Sequence, residues 1–411
     1  MTSTVTVGHP AALSAVGAML AGRAPHAVLL VGPPSVGKTT LALDLAAGLL
    51  CTGAVGGDRP CRNCRACRMV AHGNHPDLHR LAPEGPGDQI GIGGRDRPRG
   101  VRDLVAELAL LPVEGIARVA TVERAHRMSE DAQSALLKTL EEPPSATVLI
   151  LCADDEERLL PTVRSRCARI RLGAVATRDI EGLVVGHGLA DAPTAARLAR
   201  IAAGRPGLAL TYAAAPEAVR IRGEIVRTLL DLADDRIADR LARGRDLLGR
   251  AGEMSAALAA PAPGAAATNG AARSTRTRSG SAPSAVAPSG AAGSAGEPAE
   301  PELDAEPSDT SAVRVPAAER RRALLLLLDL WADVARDLAV AAAGAAAAVR
   351  DPGLIDEVGG LAARLTPEAT GAALARVARA RELVEANASP ELVLDVLLLR
   401  WPRTAGGPRR P

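Results

Sequence analysis

The chain has 411 residues, a formal net charge of +2, 47% apolar residues, one Tyr and no Phe. A single core rarely grows past about 250–300 residues, so two or three domains are expected. The near-balanced charge names no polyanionic partner, and the shortage of aromatic residues excludes a base-stacking platform for nucleic acid. No segment has a basic start followed by an apolar core, and no apolar run reaches about 18 residues, so a soluble, intracellular chain without membrane association is expected.

In chain order, Pro10 to Ala21 has helical periodicity and breaks at Gly22 to Pro25; this helix is expected to cover a nucleotide base. Ala27 to Val31 then reads as a buried strand and Thr40 to Ala46 as a helix. Between them lies Gly32-Pro33-Pro34-Ser35-Val36-Gly37-Lys38-Thr39, a G-x-x-x-x-G-K-T loop in the strand-loop-helix context that phosphate binding requires. Backbone N–H groups and the positive helix end would surround a polyphosphate. Gly32, Pro33, Gly37, Lys38, Thr39 and Thr40 are the candidate contacts, with Lys38 on the terminal phosphates and Thr39 on Mg²⁺. Of 49 basic residues only Lys38 and Lys138 are lysine. An arginine-rich chain has thus kept a compact ammonium where a phosphate loop needs a point charge. The competing reading is a glycine-rich turn without a ligand.

Cys51 is followed by Cys61-Arg62-Asn63-Cys64-Arg65-Ala66-Cys67. Three cysteines spaced by three, with a fourth a loop away, can converge on one tetrahedral Zn²⁺. Arg59, Arg62, Arg65 and Arg68 would offset the thiolate charge. Disulfides compete, as does a site using His72 or His75. The four-thiolate site at residues 51–67 is favoured over both, and it reads as structural because no ligand position stays open.

His75 to Pro98 is rich in Gly, Pro and Asp and reads as an irregular excursion. Val101 to Leu111 has helical spacing, Ile116 to Val122 is a strand, Ser129 to Glu142 a helix stopped by Pro143-Pro144, and Thr147 to Cys152 a buried strand. Leu159 to Val163 leads into Ser165-Arg166-Cys167, and Ile170 to Leu172 is a last short strand. Alternation of this kind predicts an α/β fold with a doubly wound parallel sheet. A phosphate-loop ATPase should end the second-to-appear strand in an acidic pair that serves metal and water. Here Glu123-Arg124 stand there: Glu123 can hold Mg²⁺ through water or merely cap the strand, and Arg124 cannot accept a proton. Little or no hydrolysis is expected.

Ala176 to Tyr212 is a run of short helices, and Glu217 to Leu248 opens a third, helical segment. Ala259 to Pro316, built largely of Ala, Pro, Ser and Gly, lacks the large apolar residues that offset ordering entropy and is expected to be disordered. Beyond it, helices are expected at Leu324 to Trp331, Leu338 to Val349, Gly371 to Glu385 and Pro390 to Trp401.

The run Ala135 to Pro144 (ALLKTLEEPP) with Leu160 to Cys167 (LPTVRSRC), and the cysteine module after the phosphate-loop helix, resemble the bacterial clamp-loader branch of the AAA+ ATPases. The resemblance covers residues 9–212 well and the rest loosely. It implies an AAA+ core with zinc module over 1–173, a small helical lid over 174–213 and an all-α collar over 214–411 interrupted at 259–316. Three departures from the gamma or tau motor type point to the delta-prime type. These are Glu123-Arg124 in place of an acidic pair, Gly207 where the motor carries an arginine, and Asp154-Asp155 where it has uncharged sensor residues.

For the delta-prime type, the resemblance implies that Arg166 reaches the γ-phosphate in a neighbouring subunit as a trans arginine finger. It also implies gamma/tau and delta subunits as partners, indirect work on the sliding clamp and on primer-template DNA, and a cytoplasmic, nucleoid-associated location. Structural Zn²⁺ is the expected cofactor, and ATP with Mg²⁺ an optional one. The alternatives are an active gamma/tau-type ATPase and an independent zinc-dependent DNA-binding protein.

Overall fold

In the computed structural model the described residues are 5–22, 24–55, 58–84, 88–94, 98–260 and 316–404. The expected insertion at 259–316 falls, from 261 to 315, outside them. The chain opens with α1 (Pro10–Ala21), β1 (Ala27–Val31), α2 (Lys38–Leu50), α3 (Arg65–Ala71), β2 (Leu78–Leu81), α4 (Val101–Leu108) and β3 (Arg118–Val122). It continues with α5 (Glu130–Glu141), β4 (Thr147–Ala153), the single turn α6 (Pro161–Arg164) and β5 (Ala168–Arg171).

The five strands form one parallel sheet in the order β2-β3-β4-β1-β5. Parallel strands covered on both faces read as continuous apolar runs, which is why β1 and β4 were legible. Successive residues of β1 nevertheless go to opposite cores: Val28 and Leu30 pack with α1 and α2, whereas Ala27 and Leu29 pack with α4 and α5. Each fully buried Leu or Val contributes about 1.5–3 kcal/mol.

Three short helices follow, α7 (Thr177–Gly186), α8 (Ala192–Ala202) and α9 (Pro206–Ala214). The remainder is helical: α10 (Pro216–Asp231), α11 (Ile237–Ala259), α12 (Ala317–Ala342), α13 (Ile355–Ala362), α14 (Pro367–Glu385) and α15 (Pro390–Arg400). Residues of α10 to α15 share one apolar core with α7 to α9 and with the α1/α2 face of the sheet. Ion pairs reinforce that continuity. Arg197 on α8 donates to Asp351 at 3.1 and 3.0 Å, Arg222 on α10 approaches the same carboxylate at 3.5 Å, and Arg158, after β4, pairs with Glu385 on α14. No described helix is long and apolar enough to cross a membrane.

Four expectations need correction. The excursion from His75 to Pro98 contains β2, an edge strand of four residues whose polar His79 and Arg80 hide its periodicity. Helix α4 stops at Leu108 rather than Leu111, because Leu110 and Leu111 turn to solvent, and β3 starts at Arg118, leaving Ile116 75% exposed. The two helices expected around Leu324–Trp331 and Leu338–Val349 are one helix, α12, followed by a short 3₁₀ turn at Ala346–Ala348. Its Asp333 and Asp337 look like a polar break but are satisfied by Arg350 and Arg336. Helix α13, eight residues long, was not anticipated.

Candidate functional site

The phosphate loop is shaped by backbone constraints that its residue types meet. At Gly32 a Cβ would lie 2.2 Å from the Leu172 carbonyl oxygen, so only glycine lets β1 turn beside β5. Gly37 has φ +110° and stands immediately before α2, where a left-handed conformation is cheap only for glycine. The His9 ring donates through Nε2 to Val36 O at 2.9 Å, pinning the loop from the α1 side.

Lys38 opens α2 and is 6% exposed. Its ammonium donates to Gly32 O at 2.7 Å and Pro33 O at 2.6 Å and pairs with Asp154 Oδ1 at 2.7 Å. Asp154 follows β4 and is oriented in turn: its N–H donates to His126 Nδ1 at 3.1 Å, and His126 Nε2 stands 3.7 Å from Asp154 Oδ2. Burial holds the His126 imidazole below its usual range, against the opposing pull of Asp154. With Nδ1 accepting, its single proton sits on Nε2, facing the carboxylate.

Around this loop lies a cleft of about 510 Å³. It is floored by Val36 to Thr40, flanked by Glu123 and Asp154, and closed from α7 and α9 by Leu183, His187, Gly207 and Leu210. Thr39 and Thr40 are half-buried at its wall. Gly207 N–H donates to Ser35 O at 2.9 Å, and a Cβ there would lie 3.0 Å from that oxygen, so α9 rests directly on the loop. Glu123 is engaged by Arg80 at 2.6 Å, and Arg124, at φ 50°, makes a bidentate pair with Asp88 at 2.6 Å for both bonds. The arrangement offers helix-end N–H groups to an anion, but the one compact cation is already matched by an internal carboxylate.

All four cysteines of the spacing motif converge: the Sγ atoms of Cys51, Cys61, Cys64 and Cys67 lie within 4.8 Å of one another. Tetrahedral zinc at about 2.3 Å from each sulfur needs S–S separations of roughly 3.8 Å, and Cys51 Sγ to Cys64 Sγ is 4.0 Å. The cluster therefore fits a zinc ion. Cys64 and Cys67 N–H groups donate to Cys61 and Cys64 sulfurs at 3.4 Å, the local geometry that favours thiolates. Burial opposes ionisation of Cys64, but the Cys67 and Thr52 backbone groups outweigh it and bring the thiol down to about 5. Burial, reinforced by Cys64, pushes Cys67 up to about 12. Neither histidine alternative joins the cluster, since His75 Nδ1 accepts from Asp77 N–H at 3.1 Å and His72 Nδ1 contacts Arg68 O at 2.7 Å.

Sequence reasoning missed Asp44. On α2 and 1% exposed, it accepts from Val5 N–H, Thr6 N–H and Thr6 Oγ1, the last at 2.7 Å, and pairs with Arg62 of the cysteine module. Val5 and Thr6 also line the cleft, so one carboxylate joins the module to the cleft wall. An acid inside an otherwise apolar helix face was the only signal. Arg166 is not among the cleft-lining residues; it is 35% exposed, with Nη2 on Glu141 Oε1 at 2.7 Å and Nη1 on Thr162 O at 2.9 Å.

Residues 11–176 match the family model described as DNA polymerase III, delta subunit. Similar chains include DNA polymerase III subunit delta' of Pseudomonas aeruginosa, 42% identical over 152 residues (36% of this chain, 44% of that one), and of Escherichia coli, 41% over 147 residues (36% and 42%). DNA polymerase III subunit tau of Escherichia coli is 33% identical over 222 residues, 52% of this chain and 33% of its own. The matched stretch thus spans less than half the length of these relatives. A gamma subunit-related protein of Thermotoga maritima aligns over 90% of this chain and 99% of its own at 15% identity, with a TM-score of 0.33.

Proposed function

We propose, from the premise that residues 11–176 belong to the DNA polymerase III delta-subunit family and are of the delta-prime type, that this chain is a non-motor subunit of a clamp loader. It occupies a fixed place beside gamma/tau-type and delta subunits in the cytoplasm and acts on the sliding clamp and primed DNA only through that assembly. Residues 1–173 act as its AAA+ core, 174–213 as a lid and 214–411 as a collar.

The observation that carries this reading is the occupied Lys38. A motor site needs the ammonium free for phosphate and an acid pair at the end of β3. Here Asp154 neutralises the ammonium, Glu123 is held by Arg80, and Arg124 replaces the second acid. Were ATP and Mg²⁺ bound, Gly32, Pro33, Gly37, Lys38, Thr39, Thr40 and Glu123 would hold them, and the metal would neutralise phosphate charge. Among the described residues at the cleft, Glu123 is held by Arg80 and Arg124 cannot accept a proton, so none is placed to activate water. Zinc held by Cys51, Cys61, Cys64 and Cys67 would act structurally, fixing the loop that carries Arg62 against Asp44.

Arg166 sits on the exposed turn between α6 and β5, where its guanidinium, tethered to Glu141, can be handed to a phosphate of an adjacent subunit. A fork of several donors suits charge spread over phosphate oxygens. The test measures ATP turnover by the purified chain alone and its co-migration with tau-type and delta subunits on size exclusion. No turnover together with co-migration is expected. Turnover dependent on Lys38 would transfer the chain to the motor class.

A further inference from the structure

Helices α14 and α15 are joined by the short link at residues 386–389 and run antiparallel, since Arg376 at the middle of α14 donates through Nη1 to Arg400 O at the end of the shorter α15, at 2.8 Å. Between them runs an open groove of about 350 Å³ whose two ends differ in chemistry. Toward the link it is apolar, lined by Leu383, Ala388, Leu392 and Val396, with Leu392 64% and Val396 44% exposed. Toward the other end stand Arg376, Arg379 and Arg400.

These three cations are available to a partner. Among the described residues Arg379 pairs only with Glu382, an exposed i,i+3 pair at 2.6 Å with both side chains more than 60% exposed (67% and 64%), and such pairs are worth about 0.2–1 kcal/mol. Arg400 makes no ion pair among the described residues, and Arg376 bonds a carbonyl rather than a carboxylate. The groove is walled by two helices, whose backbone groups are consumed internally, so it offers no strand edge to an extended peptide. An occupant must satisfy its own backbone, which selects a helix.

We infer that the α14/α15 groove is a docking site for one amphipathic helix of another polypeptide, apolar along one stripe and acidic at one end. Leucine-like side chains at i, i+4 and i+7 fill the Leu383–Leu392–Val396 end, while carboxylates meet Arg379 and Arg400. Its contact length matches the 11 residues of α15, roughly 16 Å of axis. A second copy of this chain is a poor occupant: two-fold pairing through the same groove lays each arginine end on the other copy's apolar end and leaves charge unpaired. The inference does not depend on the clamp-loader reading.

The test uses the full chain alone and a fluorescein-labelled, lactam-stapled peptide with two Glu in its first turn and Leu at i, i+4 and i+7. Saturable anisotropy in the micromolar range is expected, weakened about tenfold or more both by Leu392→Asp and by Arg379→Glu/Arg400→Glu. A peptide with Lys in place of Glu should bind poorly to the natural chain and better to the double-arginine variant. Circular dichroism and Tm confirm that the variants, all at exposed positions, remain folded. Absence of saturable binding, equal binding by all variants, or no response to charge reversal overturns the inference. So does a dimer of the chain alone, seen by sedimentation, that Leu392→Asp dissociates. None of these outcomes bears on ATP turnover.

Discussion

The Lys38 ammonium lies 2.7 Å from Asp154 Oδ1, so a phosphate entering the loop competes with a carboxylate already in place. Replacing Asp154 by Asn keeps the shape and removes the charge. A charge-assisted bond is worth about 1.5–3 kcal/mol, so Asp154→Asn should tighten nucleotide binding by roughly tenfold or more, measured with a fluorescent ATP analogue. Unchanged affinity would show that Asp154 does not guard the loop. His126, His75 and His79 are each pushed below the ordinary imidazole value by burial, opposed by Asp154, Asp77 and Glu107 respectively. With folded values depressed below 6.5, their stability contribution is intact above that pH and is lost as pH falls through the folded values. Denaturant melts should therefore show the chain weaker at pH 5 than at pH 7.5; equal stability would contradict the burial argument. The motif residues were legible because their spacing is local. Where the Lys38 side chain turns was not, since Asp154 comes from the turn after β4, more than a hundred residues later.

At the scale of elements, the cysteine module was readable from spacing alone, and Cys51, Cys61, Cys64 and Cys67 do converge. The purified chain should carry one zinc, and cobalt substitution should give thiolate-to-metal absorption that Cys64→Ser abolishes. Full absorption in that variant would contradict the four-thiolate set. What spacing could not reveal is how the neighbouring loop is held. Asp77, fully buried, accepts from Val113, Glu114 and Gly115 N–H at 2.6, 2.9 and 2.7 Å, while Arg118 donates to Leu111 O at 2.7 Å. These two buried charges fold residues 111–115 back on β2 and end α4 early. Asp77→Ala strands three N–H groups and should cost at least about 3 kcal/mol, read as a lowered denaturation midpoint. A loss within about 0.5 kcal/mol would mean the loop holds itself.

Across the whole molecule, the sheet-and-helix alternation was legible because buried parallel strands have no polar face to confuse the pattern. The C-terminal helices were less so, because their polar residues are partnered at long range. Asp333 and Asp337 interrupt the apolar stripe of α12 yet meet Arg350 and Arg336, and Asp351 joins Arg197 of α8. The Asp351–Arg197 pair and the shared apolar core fix the C-terminal helices against the small helices that close the cleft. The proposed role of this chain is to serve a neighbour's ATP site rather than its own. The most direct measurement is ATP turnover in a complex reconstituted with tau-type and delta subunits, comparing the natural chain with Arg166→Ala and Arg166→Lys. Arginine fingers elsewhere contribute roughly 10³–10⁵ in rate at the site they serve. Turnover should fall by about tenfold or more in both variants while assembly is unchanged, with lysine failing to rescue. Undiminished turnover with Arg166→Ala in a fully assembled complex would contradict the claim.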